Sequence, residues 1–241
     1  MIKDFNNFTE VTNAFTSIGG QFVLSPDKIK SKLADIKAFV FDWDGVFNSG
    51  YKGENTPGLF SEPDSAGLNL LRYSYYRTNK TIPSCAIITG ENNPGAIYFS
   101  KRENFNVVYM QVLNKADAIL HLCSKNNISP SQVACVFDDI NDLSMAKVCG
   151  LRFMIKKSAA PALESFAINN NLCDYITGTE QEKYPIREIC EMIIAFNGRY
   201  EASLSSRIGL DDTYKKFLGQ KKAAPLYLSK ATGTGFNVET I

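Results

Sequence analysis

The sequence predicts an α/β fold of three layers, Rossmann-like, with a parallel sheet covered by helices on both faces. Three observations predict it. From residue 36 onward, short apolar runs alternate regularly with segments of helical period. Those runs are mostly apolar, as suits strands buried between two helical layers. Polar, chemistry-bearing residues then gather where successive runs end, the edge at which open α/β sheets bind ligands.

The elements follow in order. "IKAFVFD" is short, apolar and closed by a turn, a buried strand. "DSAGLNLLRYSYYRTNK" has helical spacing, with Leu68, Leu71 and Tyr75 on one side. "IPSCAIITG" is the next strand, and "NPGAIYFSKRENF" is a helix with Pro94 in its first turn. "VVYM" is a short strand, and "NKADAILHLCSKNN" a helix with Asn114 as N-cap. "QVACVFDD" reads as a strand, "NDLSMAKVCG" as a helix closed by Gly150, and "LRFMI" as a strand. "SAAPALESFAIN" is helical, "CDYIT" a short strand, and "YPIREICEMIIAF" a final amphipathic helix.

These elements make a core over residues 34–200. Residues 1–33 form an N-terminal helical extension whose Phe5, Phe8, Phe15 and Ile18 make a stripe expected to dock on the core. Residues 201–241 are expected to hold a helix, "DDTYKKFLGQ", followed by a flexible tail. The "TGTGF" in that tail contains GxG but lacks the third glycine and the strand-then-helix context of a dinucleotide loop.

Bulk properties exclude several function classes. The 241 residues suit one domain with elaborations, and 44% hydrophobic with 21% charged residues is ordinary for a globular chain. A net charge of +1 gives no electrostatic case for nucleic acid or membrane as partner. No stretch approaches the roughly 20 apolar residues that a bilayer requires. "MIKDFNNFTEVTNAF" places acids and asparagines where a signal peptide has its apolar segment, so the expected compartment is cytoplasmic. The six cysteines contain no CxxC pair and read as reduced core thiols. His121 is the only histidine, which disfavours zinc, Ser-His-Asp and Cys-His chemistry and leaves it a structural role.

The strand ends carry the chemistry. The first strand ends in Asp42 and leads to Asp44; one residue apart, the two carboxylates point the same way. Crowded carboxylates near a buried strand repel unless a cation or proton relieves them. The second strand ends at Thr89 and Gly90, followed by Glu91. The third leads to a helix that opens with Lys115, and the fourth ends in "FDDIND", with Asp138, Asp139 and Asp142. Grouped aspartates suit a hard cation such as Mg²⁺, and a lysine and a threonine beside them suit a phosphoryl group. Neither "DWDGVF" nor "DDINDL" fits an EF-hand loop, and no P-loop is present.

DxDGV, ITG, a helix-opening lysine and DDxxD, in this order, resemble the motif set of the haloacid dehalogenase superfamily. Within it, residues 36–196 are most similar to the capless sugar-acid phosphatases of octulosonate 8-phosphate and nonulosonate 9-phosphate type. "LFSEPDSAGL" and "IREICEMII" resemble two further stretches of that group. The resemblance implies a phosphatase in which Asp42 is the nucleophile and Asp44 the acid and base. It implies that Thr89, Gly90, Glu91 and Lys115 meet the substrate, Lys115 also shielding charge on Asp42. Mg²⁺ would be held by Asp42, the backbone carbonyl of Asp44 and Asp138, with Asp139 and Asp142 completing or orienting the set. It implies a small β-hairpin flap in place of a cap domain, and the short "FNSGYKGENTPGLFSEP" between motifs leaves room for no more. In that group the flaps assemble into a homotetramer that shields the open site.

The sequence departs from the group's pattern at two telling places. Phe137 stands where glycine is usual, which would crowd the metal loop, and Glu91 stands where octulosonate phosphatases carry arginine. The glutamate resembles the nonulosonate members. Two other readings stay open, a phosphatase of another small phosphate monoester and a catalytically silent scaffold. Retention of Asp42, Asp44, Lys115 and Asp138 argues against silence, because buried charges cost stability.

Overall fold

The computed structural model describes residues 7–53, 58–233 and 235–241. The N-terminal segment forms α1 (Phe8–Ser17), the two-residue strand β1 (Gln21–Phe22) and α2 (Pro26–Leu33). The central part runs β2 (Ala38–Phe41), α3 (Glu62–Asn79), β3 (Ser84–Ile88), α4 (Pro94–Glu103), β4 (Val107–Met110) and α5 (Lys115–Asn126). It continues with β5 (Val133–Phe137), α6 (Leu143–Val148), β6 (Leu151–Lys156), α7 (Pro161–Asn169), β7 (Tyr175–Glu180) and α8 (Pro185–Phe196). Helices α9 (Tyr200–Gly209) and α10 (Asp212–Ala223) lead to β8 (Tyr227–Thr232) and β9 (Gly235–Thr240).

One sheet in the order β1-β7-β6-β5-β2-β3-β4-β8-β9 contains all nine of these strands. Every pairing is parallel except at the two edges, where β1 meets β7 and β9 meets β8 antiparallel. The period of two along each strand separates two cores. Phe39 and Phe41 of β2 enter the layer shared with α1, α2, α3, α4, α8 and α10; Ala38 and Val40 enter the layer shared with α5, α6 and α7. The chain has thereby the predicted three-layer α/β architecture.

Local chemistry starts and stops the helices that flank the site. Ser61 accepts from the Asp64 N–H at 3.1 Å to open α3, and Asn114 accepts from Ala116 to open α5. The left-handed residues Lys80, Asn104 and Asn127 close α3, α4 and α5.

Four expectations meet the structure differently. The C-terminal segment is no flexible tail: β8 pairs in parallel with β4, and β9 folds back on β8. Burial of Leu226 and Leu228 and the packing of Phe236 on Tyr109 and His121, at 5.2 and 4.9 Å, stabilise it there. The N-terminal extension is more than a docked helix, because β1 extends the other sheet edge; α1 buries Phe15, Ile18 is half exposed, and Phe5 lies outside the described residues. The hairpin flap is not formed as strands among the described residues of 46–61; residues 54–57 lie outside them. There Asn48 bonds the Trp43 carbonyl at 3.3 Å and the Gly50 N–H at 2.7 Å, local bonds that compete with a strand ladder. Phe137 does not project into the metal loop but lies fully buried in the core layer with α5 and α6.

The six cysteines are free and buried, and His121 bonds the Tyr109 hydroxyl at 2.8 Å in a structural contact. Among the described residues no helix is long and apolar enough to cross a membrane.

Candidate active site

A cavity of about 460 Å³ opens at the carboxyl ends of β2, β3 and β5. Asp42, Asp44, Thr89, Gly90, Glu91, Lys115, Asp139 and Asp142 all line it. Parallel strands place their ends on one edge, so residues as far apart in sequence as Asp42 and Lys157 meet there.

Lys115 organises the floor. Its ammonium, buried with the rest of the side chain, is bonded to Oδ1 of Asp42 and to Oδ1 of Asp142 at 2.5 Å. Burial works against that charge, but Asp42 and Asp142 outweigh it and hold the lysine above its ordinary value. Burial, and then the Asp142 charge, push the Asp42 carboxyl well above the usual carboxylate range, with Lys115 opposing. Asp138 is driven up to about 7, again by burial first and Asp142 second.

Oxygens of Asp42, Asp138 and Asp142 lie within 4.8 Å of one another. Both Asp138 oxygens are buried, and the half-buried Lys157 ammonium is their one partner among the described residues. An all-oxygen donor set of three buried carboxylates fits a hard divalent cation such as Mg²⁺. Gly45 allows this cluster to close: its φ is +84°, and a Cβ there would fall on the Asp138 carboxylate. Asp139 stands apart from the three. Half exposed, it caps the turn after β5 through the Ile140 N–H at 2.7 Å.

Asp44 occupies a different environment on the cavity wall. Its carboxylate accepts from Asn93 at 3.0 Å and Asn48 at 3.3 Å and pairs with Lys52 at 2.8 Å. Thr89 is buried, and its hydroxyl accepts from Asn93 at 2.7 Å. Gly90 and Glu91 sit exposed on the rim.

The sequence reading missed Lys52, Asn93, Asn48 and Lys157. Lys157 follows β6, and its ammonium pairs with Asp138 and, at 3.2 Å, with Asp139. Taking the strand-end rule one strand further would have found it. Asn93 precedes Pro94 as the N-cap of α4, a position that announces a helix start and not a site.

A profile of haloacid dehalogenase-like hydrolases matches residues 51–183, more than half of the chain. The chain belongs to the haloacid dehalogenase-like hydrolases. Asp42 and Asp44 precede the matched span, so their place in this hydrolase rests on the geometry above. The 3-deoxy-D-manno-octulosonate 8-phosphate phosphatase KdsC of Salmonella typhi is 26% identical over 186 residues, 75% of this chain and 90% of its own length. The crystal structure of 3-deoxy-D-manno-octulosonate 8-phosphate phosphatase from Moraxella catarrhalis, in complex with magnesium ion, phosphate ion and KDO, aligns with a TM-score of 0.60 at 25% identity. That alignment covers 75% of this hydrolase and 98% of the Moraxella chain. A probable YrbI family phosphatase from Pseudomonas syringae has the same fold, with a TM-score of 0.62 over 76% of this chain and 98% of its own, at 24% identity. This hydrolase is an enzyme of the phosphatase kind that these relatives represent.

Proposed function

We propose that this enzyme is a Mg²⁺-dependent phosphatase of a phosphorylated sugar acid, of octulosonate or nonulosonate type. The observation that carries the reading is the meeting of Asp42, Lys115 and Asp142 on the cavity floor, with Asp44 on the wall. An Asp42 oxygen attacks phosphorus, and the bond to the sugar oxygen breaks as an aspartyl-phosphate forms. Asp44 gives its proton to the departing oxygen, then takes one from the water that hydrolyses the intermediate. Asn93 and Asn48 hold the Asp44 carboxylate in place, while Lys52, half exposed, is the partner that an entering substrate can displace. Lys115 holds a phosphoryl oxygen as well as the nucleophile, and Thr89 and Gly90, which line the cavity, would meet the other oxygens. Asp42, Asp138, Asp142 and the Asp44 carbonyl would hold Mg²⁺, whose charge, when bound, lowers the repulsion between carboxylate and phosphoryl group. Glu91 on the rim would accept hydrogen bonds from hydroxyls of the sugar.

Apolar side chains around the mouth support assembly into a homo-oligomer, a tetramer by the family resemblance. Tyr51, Leu113 and Ile140 are 81%, 94% and 67% exposed, each within one residue of the cavity lining or part of it. The test of the activity is phosphate release across octulosonate 8-phosphate, nonulosonate 9-phosphates and an aryl phosphate, with and without Mg²⁺. We expect Mg²⁺-dependent turnover of a sugar-acid phosphate, and a fall of at least about 10³-fold in Asp42→Asn. Equal turnover by wild type and variant would sink the reading.

A further inference from the structure

We propose that Lys157 is a built-in competitor of the divalent cation, its ammonium and the metal contending for the same oxygens of Asp138. The inference rests on the metal-dependent reading above. Asp138 lies 1% exposed, and among the described residues its carboxylate has one partner, the Lys157 ammonium. The lysine also spans to Asp139 at 3.2 Å, so it bridges the two adjacent carboxylates of the metal loop.

The fold aims this side chain. The β6–β7 register shifts between Met154 and Lys156, immediately before Lys157. At that irregularity the buried Thr177 hydroxyl accepts the Lys156 N–H at 3.0 Å, replacing a ladder partner. Irregularities of this kind redirect the next side chain, here out of the strand and into the cavity.

The two lysines divide the acidic cluster between them: Lys115 pairs with Asp42 and Asp142, Lys157 with Asp138 and Asp139. Lys115 takes Oδ1 of Asp42 and of Asp142 and pairs with neither Asp138 nor Asp139, so it does not contend for the Asp138 oxygens. Lys157 stands on the carboxylate that has no other partner, and it must yield. It is a third exposed and lines the cavity, so it has room to swing away. Once displaced, its ammonium faces the space that an anionic substrate enters. The lysine thereby sets metal affinity below what the aspartates alone would give.

The experiment is a calorimetric titration of Mg²⁺ into the 241-residue protein at about pH 8, the same for every variant. Wild type is compared with Lys157→Met, Lys157→Gln and Lys52→Met. Lys52 is a second cavity ammonium that pairs with Asp44 and with none of the clustered aspartates. We expect both Lys157 variants to bind Mg²⁺ about tenfold more tightly than wild type, about 1.4 kcal/mol. Lys52→Met should stay within about twofold. Equal or weaker binding by the Lys157 variants overturns the proposal and leaves the metal-dependent reading standing. Equal tightening in Lys52→Met overturns it too, since the effect would then be the general field of the cavity. Absence of binding to every protein overturns both the competition and the metal-dependent reading.

Discussion

Asp42 and Asp44 show how much one residue of separation changes a carboxylate. Asp42 ends a central strand, is buried, and shares its charge with a buried lysine; Asp44 lies one step into the loop among two amides and a half-exposed lysine. Environments this different suit different tasks, nucleophile in one case and proton carrier in the other. A third aspartate, away from the cavity, has a consequence for stability. Asp64 in the first turn of α3 accepts the Arg187 N–H of α8 at 2.8 Å, yet burial raises it from 3.8 to about 6. The folded state therefore binds this proton more tightly than the unfolded chain. Its contribution is fully present below about pH 3.8 and is lost as pH rises through about 6. Asp64→Asn should remove that loss, gaining on wild type by roughly 3 kcal/mol between the two ends of the window. Urea unfolding of both proteins across that range measures it, and parallel pH profiles would refute the assignment.

At the scale of elements, α10 joins the molecule by its aromatic face. Phe217 is fully buried against Tyr73, Tyr76 and Tyr214, with ring centroids 5.2, 5.7 and 5.8 Å away. Phe217→Ala should cost about 3–5 kcal/mol of stability. Phosphate release at low temperature should stay near that of wild type, because α10 contributes nothing to the cavity lining. A large change in KM with unchanged stability would contradict this separation. The same scale explains what could be read in advance. The strands β2, β3 and β5 are legible because they are buried on both faces and almost wholly apolar, and β6 because four of its six residues, Leu151 and Phe153–Ile155, are. Their ends, with Asp42, Thr89 and Asp138, were legible for the same reason. β8, "YLSKAT", and β9, "GFNVET", were not, since a sheet edge buries only some positions and polar residues serve at the others. β1 has two residues, too few for any period, and takes its place from β7, more than 150 residues away in the chain. Lys157 stands where the strand-end rule reaches if carried to β6, but a lysine after a strand is ordinarily solvent-facing, and its partners become neighbours only through the sheet order.

Taken whole, the molecule builds outward from β2, which lies between β3 and β5 and is followed directly by Asp42. The outermost strands, β1 and β9, come from the two ends of the described chain and pair on one side only. This arrangement ranks the backbone amides by how they meet solvent deuterium. Amides of β1 and β9 exchange through local fraying, whereas those of β2, β3 and β5 exchange only when the entire sheet opens. Deuterium uptake followed by mass spectrometry should show the segment over 38–42 among the last to label, with 235–240 among the first. Early labelling of 38–42 would contradict that order. Asp42, the proposed nucleophile, should thus sit on the most protected backbone in the molecule, and mild denaturant should strip the two margins while phosphate release continues.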